Sequence, residues 1–313
     1  MRKRKGNNMS TIERTISSGE VIIREGDEGN TFFQLLEGKV GVYNNYGQED
    51  QVQIAILEPG TYFGEMAVIE SYPRSSTVVA EEDSRVIEIA ASELNEYITE
   101  NPNKILDIIV VLGNRLKTMT DDYNEIKKVL DNVRKENSKN NYASFFASMT
   151  KQSIYLSAKN FRLEKPSAEA LREAADAVSK KGTSGETYPY GTIIFKQGEP
   201  GKCMYIVHSG SVCIYSNYGA DNEIRLSEVK PVACFGEMGL ITQEARTATA
   251  AVESNDTQVE IIYPDGLEDL FKSCPEKIDM ILKNLSYRLR VITYEYCKAC
   301  KEIYDNTEKE EEY

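Results

Sequence analysis

Histidine is nearly absent from this sequence. His208 is the only one among 313 residues, so a metal centre built from two or three imidazoles is out of reach. No Ser-His-Asp arrangement, Walker phosphate loop or kinase motif is found either. Cysteine is missing from the first 202 residues. The six that follow (Cys203, Cys213, Cys234, Cys274, Cys297 and Cys300) belong to a chain large enough to dispense with disulfides, so reduced thiols are expected. Cys297 and Cys300 have metal-ligand spacing, but they fall within a helical stripe and lack a second pair. No apolar run approaches the roughly 18 residues of a membrane helix, and the N-terminus lacks the apolar core of a signal peptide, which leads to the expectation of a soluble cytoplasmic protein. Basic residues are also in deficit. Thirty-seven Lys and Arg against fifty Asp and Glu give a formal charge of −13, which opposes nucleic-acid binding.

The length accommodates two domains of ordinary size. At the N-terminus, Arg2 to Gly6 can be encoded in purine-only codons like a bacterial ribosome-binding site, so Met9 is the expected start. The closing EKEEEY reads as a solvated acidic tail.

An internal repeat dominates the rest. Residues 19–89 align with 191–261 at an offset of 172, with glycines at 19, 26, 29, 38 and 47 answered by 191, 198, 201, 210 and 219. Short runs rich in Val, Ile, Phe and Tyr lie between these turn residues, as in strands of a sandwich or barrel. Each repeat is then expected to continue through a short helix (residues 94–98 and 267–271) and a proline (Pro102, Pro275) into a long helix, at an offset of 173. That change of offset places one inserted residue between Ile261 and Leu267. Ile105, Ile109, Leu112, Leu116, Met119, Tyr123, Ile126, Leu130 and Val133 keep heptad spacing in the first long helix. Ile278, Leu282, Leu285, Leu289, Ile292, Tyr296, Ala299 and Ile303 keep it in the second. Such narrow stripes predict helix pairing, as an intramolecular pseudo-dimer or a homodimer. The fold class expected is α+β: two jelly-roll-like β-rolls (double-stranded β-helices), each followed by a short helix and a long heptad-patterned one. The expected divisions are a first domain at 10–136, a helical connector at 137–187 with an amphipathic helix over 166–181, a second domain at 188–306, and the tail at 307–313.

The segments that carry chemistry are FGEMAVIESYPRSSTVVA (63–80) and FGEMGLITQEARTATAAV (235–252). In both, a glycine opens a short helical turn, a glutamate follows it, and an arginine comes nine residues after the glutamate. A compact phosphate monoanion is best held by uncovered backbone N–H groups at a helix start together with one guanidinium fork. Gly64, Met66 and Ala67, or Gly236, Met238 and Gly239, are placed to supply the amides, and Arg74 or Arg246 the fork. A carboxylate beside such an anion makes sense as an acceptor for a sugar hydroxyl, which is the reading for Glu65 and Glu237.

These segments resemble the cyclic-nucleotide-binding family, which includes the regulatory subunits of cyclic-AMP-dependent kinase, cyclic-GMP-dependent kinases, channel gating domains and catabolite activators. The signature carried is F-G-E-[LM]-[AG]-[LVI] followed by [PTA]-R-x-[AS]-T. The resemblance implies that Glu65 and Glu237 bind the ribose 2′-hydroxyl and that Arg74 and Arg246 bind the exocyclic phosphate oxygens. Ser75 and Thr247 would face phosphate and base, with Ser76 and Ala248 beside them. Alanine after the arginine goes with cyclic AMP in the family, so Ser75 and Thr247 leave the choice between cAMP and cGMP open. Tryptophan is absent, which shifts base capping to Tyr123, Tyr294, Tyr296, Thr120 or Thr293. The resemblance implies a non-enzymatic sensor, without metal, that signals through helix rearrangement to an effector protein. With about ten residues after the second long helix, direct DNA binding through a winged helix is not expected. The rival reading is a constitutive scaffold whose pockets take no nucleotide.

Overall fold

The computed structural model describes residues 12–48, 51–70, 73–94, 96–97, 103–136, 167–181, 185–242 and 245–308. The start at Met9, the first-turn proline Pro102, most of the connector, Pro166 and residues 309–313 lie outside the described residues.

The first roll is built from β1 (Ile12–Ile16), β2 (Val21–Ile23), β3 (Thr31–Glu37), β4 (Val40–Asn44), β5 (Val52–Leu57), β6 (Tyr62–Phe63), β7 (Thr77–Ala80) and β8 (Ser84–Ala90). The strands form two antiparallel four-stranded sheets, in the orders β1-β8-β3-β6 and β2-β7-β4-β5. The second roll repeats this with β9 (Glu186–Tyr188), β10 (Ile193–Phe195), β11 (Met204–Ser209), β12 (Val212–Ser216), β13 (Ile224–Val229), β14 (Ala233–Phe235), β15 (Thr249–Val252) and β16 (Thr257–Ile262). Its sheets, β9-β16-β11-β14 and β10-β15-β12-β13, have the same order with every index raised by eight.

Each roll closes on inward residues of both sheets, as alternation along strands requires. Phe33, Leu35, Val40, Phe63 and Val78 pack in the first. Tyr205, Val207, Val212, Phe235 and Ala250 hold the matching places in the second. The expected pair of β-rolls is the architecture observed.

One detail of the alignment is corrected. Gly38 and Gly210 both turn at positive φ, and a Cβ there would lie 2.3 Å from the Ser84 or Thr257 hydroxyl. Leu35 pairs with Val86, and Val207 with Val259. Ser84 therefore matches Thr257, and Val86 matches Val259, at an offset of 173. The extra residue lies in the β15–β16 turn, where Asp256 takes φ 57, not between Ile261 and Leu267. The Glu-Ile pairs at 88–89 and 260–261 coincide in the gapless frame and conceal the slip. Because strand side chains alternate with period two, a one-residue slip exchanges the buried and exposed faces.

The helices are α1 (Glu65–Glu70), α2 (Asn103–Glu136), α3 (Glu169–Ser179), α4 (Glu237–Thr242), α5 (Leu267–Ser273) and α6 (Pro275–Glu308). No described helix is long and apolar enough to cross a membrane. On α3 the buried residues are Ala174 and Val178, four apart on one face of the amphipathic helix expected over 166–181. Along α2 and α6 the heptad positions are buried for most of their length, but Ile108, Met280, Ile281, Cys297 and Cys300 are buried too. The apolar stripe is wider than a two-per-heptad seam, as for helices that have neighbours on more than one side.

The chain divides into two compact units, and each contains parts of both repeats. The first unit holds the first roll, residues from Thr118 onward in α2, and residues from Leu289 onward in α6. Within it Ile126 and Leu130 share one core with Tyr296, Ala299 and Ile303, and Tyr123 packs against that core. The second unit holds the second roll, α3, the start of α2 up to Lys117, and α6 up to Arg288.

The corrected register has a direct test. Val259→Asp places a carboxylate in the second core and should cost roughly 3 kcal/mol or more in urea unfolding, whereas Gln258→Asp, on the half-exposed face, should stay within about 0.5 kcal/mol. The opposite ranking would restore the gapless alignment.

Candidate functional site

The loops after β2 and β10 place the two arginines. Gly26 N–H donates to the Arg74 carbonyl at 2.9 Å, and Arg74 N–H donates to the Asp27 carbonyl at 2.8 Å. Gly198, Arg246 and Glu199 repeat this clip at 2.9 and 2.7 Å. The threonine three residues after each arginine secures the same loop: Thr77 Oγ1 accepts from Glu25 N–H at 3.1 Å, and Thr249 Oγ1 from Gln197 N–H at 3.0 Å. Each arginine is thus held by its backbone before its side chain does anything.

The side chains then reach back under the short helices. Arg74 Nη1 donates to the Gly64 carbonyl at 2.7 Å, and its Nη2 to the Thr31 carbonyl and hydroxyl at 2.6 and 3.2 Å. Arg246 Nη1 donates to the Gly236 carbonyl at 2.5 Å and its Nη2 to the Cys203 carbonyl at 2.8 Å. Its guanidinium also lies over the Phe195 ring, 4.2 Å from the centroid. Both arginines are buried, at 8% and 5% exposure. Burial pulls Arg74 below the ordinary guanidinium value, against the opposing effect of the Glu65 and Asp27 carboxylates.

Among the described residues neither guanidinium has a carboxylate within ion-pair distance, and Arg246 Nε is fully buried without a hydrogen-bond partner. A buried cationic donor left without a partner is costly. An anion arriving at Nε would satisfy it, while the two Nη groups remain on the backbone and fix the fork.

Space at the site is set by glycines. A Cβ on Gly29 would lie 2.4 Å from the Ala67 Cβ and 2.8 Å from Arg74 Nε; on Gly201 it would lie 2.3 Å from the Gly239 Cα. These glycines let the loop touch the short helix. Gly64 and Gly236, at φ 75 and 70, make the turn that starts α1 and α4. A Cβ on Gly239 would press on Arg246 Nη1 at 2.7 Å, so the second pocket has no room for the methyl that Ala67 carries in the first.

The glutamates are the first residues of α1 and α4, each only 2% exposed. Glu237 is met by Arg288 of α6, with Nη1 2.5 Å from Oε1. The structure therefore brings glycine, glutamate and arginine together at each cassette, with Met66 and Met238 following on the short helices. Ser75 and Thr247 are exposed, Ser76 Oγ donates to Asn44 Oδ1 at 3.0 Å, and Ala248 is buried. Thr31, Cys203, Phe195 and Arg288 also belong to the sites and carry no motif in the sequence. A signal for the first two was available, since both stand two residues after the conserved loop glycines of the repeat.

The base-capping candidates fare unevenly. Tyr296 is 1% exposed within the helix core, where burial pushes its hydroxyl far above the ordinary tyrosine value. Tyr123 packs on the same core, and Thr293 Oγ1 donates to the Leu289 carbonyl at 2.7 Å. His208 is buried, with Nε2 2.6 Å from Glu260 Oε2, and Lys277 Nζ holds the same carboxylate at 2.8 and 2.9 Å. It is a satisfied strand residue.

Comparison with known proteins shows the family. The profile of the cyclic nucleotide-binding domain matches residues 13–101 and 186–274, more than half of the chain, so the chain belongs to that family. Human cGMP-dependent protein kinase 2 is 50% identical over 66 residues, which cover 21% of this chain and 9% of the kinase. The cAMP-dependent protein kinase regulatory subunit of Dictyostelium discoideum is 23% identical over 246 residues, covering 77% of this chain and 60% of that protein. The chain thus spans less than two thirds of the length of either relative. The regulatory domain of Toxoplasma gondii PKA, solved with cAMP, is 19% identical, covers 85% of this chain and 86% of its own, and has a TM-score of 0.27.

The loop contact yields a prediction. Gly201→Ala forces α4 away from its loop and should weaken cyclic-nucleotide binding at the second pocket by at least about tenfold, an effect of roughly 1.4 kcal/mol. Titration calorimetry on Arg74→Ala protein, where only that pocket is left, reads the change.

Proposed function

We propose that the chain is a non-catalytic regulatory protein that binds a cyclic nucleotide, cAMP or cGMP, at both cassettes and transmits occupancy to an effector protein by rearranging its long helices. The observation that carries the reading is the buried Arg246 guanidinium, pinned at both Nη groups and unpartnered at Nε beside a helix-starting glycine. In the first pocket Arg74, Gly64, Glu65, Met66 and Ala67 take the phosphate and ribose, with Ser75 and Ser76 at its edge. In the second, Arg246, Gly236, Glu237, Met238 and Gly239 do so, with Thr247 and Ala248.

Relatives named as cGMP-dependent and cAMP-dependent kinase proteins support the ligand class. The two repeats, taken as modules at 10–136 and 188–306, form one pseudo-dimer through the C-terminal halves of α2 and α6. The shared core of Ile126 and Leu130 with Ala299 and Ile303 supports that arrangement. Ligand moves the helices only as far as it binds one arrangement more tightly than another.

Glu237 and Arg288 suggest how the second pocket is read. A ribose hydroxyl donating to Glu237 shares the carboxylate that Arg288 holds, so ligand and α6 meet at one side chain.

Calorimetric titration with cAMP and cGMP tests the assignment. Wild type should show two sites for one of the two nucleotides. Arg74→Ala and Arg246→Ala should each remove one site, weakening it by roughly 100-fold, as expected for about 3 kcal/mol from a buried charged partner. Absence of binding by wild type to either nucleotide would leave the scaffold reading in its place.

A further inference from the structure

We propose that each cassette is positioned by the long helix of the other repeat: Arg290 on α6 positions the first pocket, and Gly113 on α2 the second. This rests on the cyclic-nucleotide reading of the pockets and adds to it two residues of the long helices.

In the first unit, Arg290 Nη2 donates to the carbonyl of Met66 at 3.2 Å. That carbonyl belongs to the peptide joining Met66 to Ala67, so the guanidinium grips α1 at its second residue. On its other side α1 is stopped by Gly29, where a Cβ would lie 2.4 Å from the Ala67 Cβ, and by the Arg74 hydrogen bond to Gly64. A helix of six residues held on both sides follows whichever side moves.

In the second unit the grip is steric. Gly113 of α2 faces Ile241 of α4 so closely that a Cβ on Gly113 would lie 2.0 Å from the Ile241 Cδ1 and 3.0 Å from its Cγ1. Ile241 is buried, and on the loop side α4 meets Gly201 and Arg246 through Gly239. The four-atom side chain of Ile241 therefore seats α4 against bare α2 backbone. Glycine inside a helix sacrifices roughly 0.5–1 kcal/mol relative to alanine, which makes the close approach the reason for Gly113.

The two grips are not copies of each other. At the 173-residue offset Gly113 corresponds to Ser286 and Arg290 to Lys117. One cassette is held by a hydrogen bond and the other by a shape fit, so each can be loosened separately.

The experiment uses full-length protein with one pocket disabled. Arg246→Ala protein reports the first pocket and Arg74→Ala protein the second, by calorimetric titration with the nucleotide that wild type prefers. Arg290→Met should weaken the first pocket about five- to tenfold and change the second less than twofold, with Arg290→Lys restoring part of the loss. Gly113→Ala should weaken the second pocket about tenfold or more and leave the first within twofold. Adding Ile241→Val, which removes the Cδ1 atom in the way, should recover most of that affinity. Gly113→Ala favours helix intrinsically, and circular dichroism confirms that the fold persists.

Parents that bind while the added changes have no effect, or act on both pockets alike, or act each on the pocket of their own repeat, would overturn the crosswise assignment and leave the pockets standing. Parents that bind no cyclic nucleotide would remove both the assignment and the functional reading beneath it.

Discussion

A guanidinium buried beneath a short helix sets the terms for the rest of this protein. Arg246 is 5% exposed, has both Nη groups committed to backbone carbonyls, and keeps Nε dry and unpartnered. Such a charge is tolerated only where the surroundings fix it in advance. The clip between Arg246 and the 198–199 loop, the threonine below it, the stacking on Phe195 and the absence of side chains at Gly201 and Gly239 all serve that one placement. Arg74 is placed by the same backbone device, with a threonine hydroxyl at the position of the Cys203 thiol. The rolls are therefore frames whose loops and glycines converge on one side chain each.

The cassettes are also the parts of the rolls best placed to move. α1 and α4 have six residues each, too short to be stable alone, and depend on what packs against them. Burial in the β cores is continuous, so the sheets have little freedom. A rigid frame with a short, externally held helix at its mouth is the form expected when binding must be read at a distance. The second cassette is held from outside at two points, by Arg288 at Glu237 and by Gly113 at Ile241.

Much of this was legible in the residues. Repeated glycines, strand-length apolar runs and the nine-residue interval from glutamate to arginine follow from local chemistry, and the folded chain keeps them. Three things were not legible. The slip at Asp256 was hidden because Glu88-Ile89 and Glu260-Ile261 coincide in the wrong frame, and only strand pairing exposes which of Gln258 and Val259 faces inward. The helices looked like narrow seams because heptad positions are apolar, while Ile108, Met280, Ile281 and Cys300 gain their burial from neighbours that no periodicity announces. Phe195 and Arg288 complete the second pocket from positions 51 residues from Arg246 and Glu237, a distance at which sequence carries no geometric information.

Phosphorus-31 NMR of full-length protein with a bound cyclic nucleotide tests the central claim most directly, because it observes the group that each arginine is said to hold. Two bound resonances are predicted, displaced from the free ligand and from one another because Arg74 and Arg246 have different neighbours, with one lost in Arg74→Ala and the other in Arg246→Ala. A spectrum showing only free nucleotide, or bound resonances indifferent to both substitutions, would contradict it.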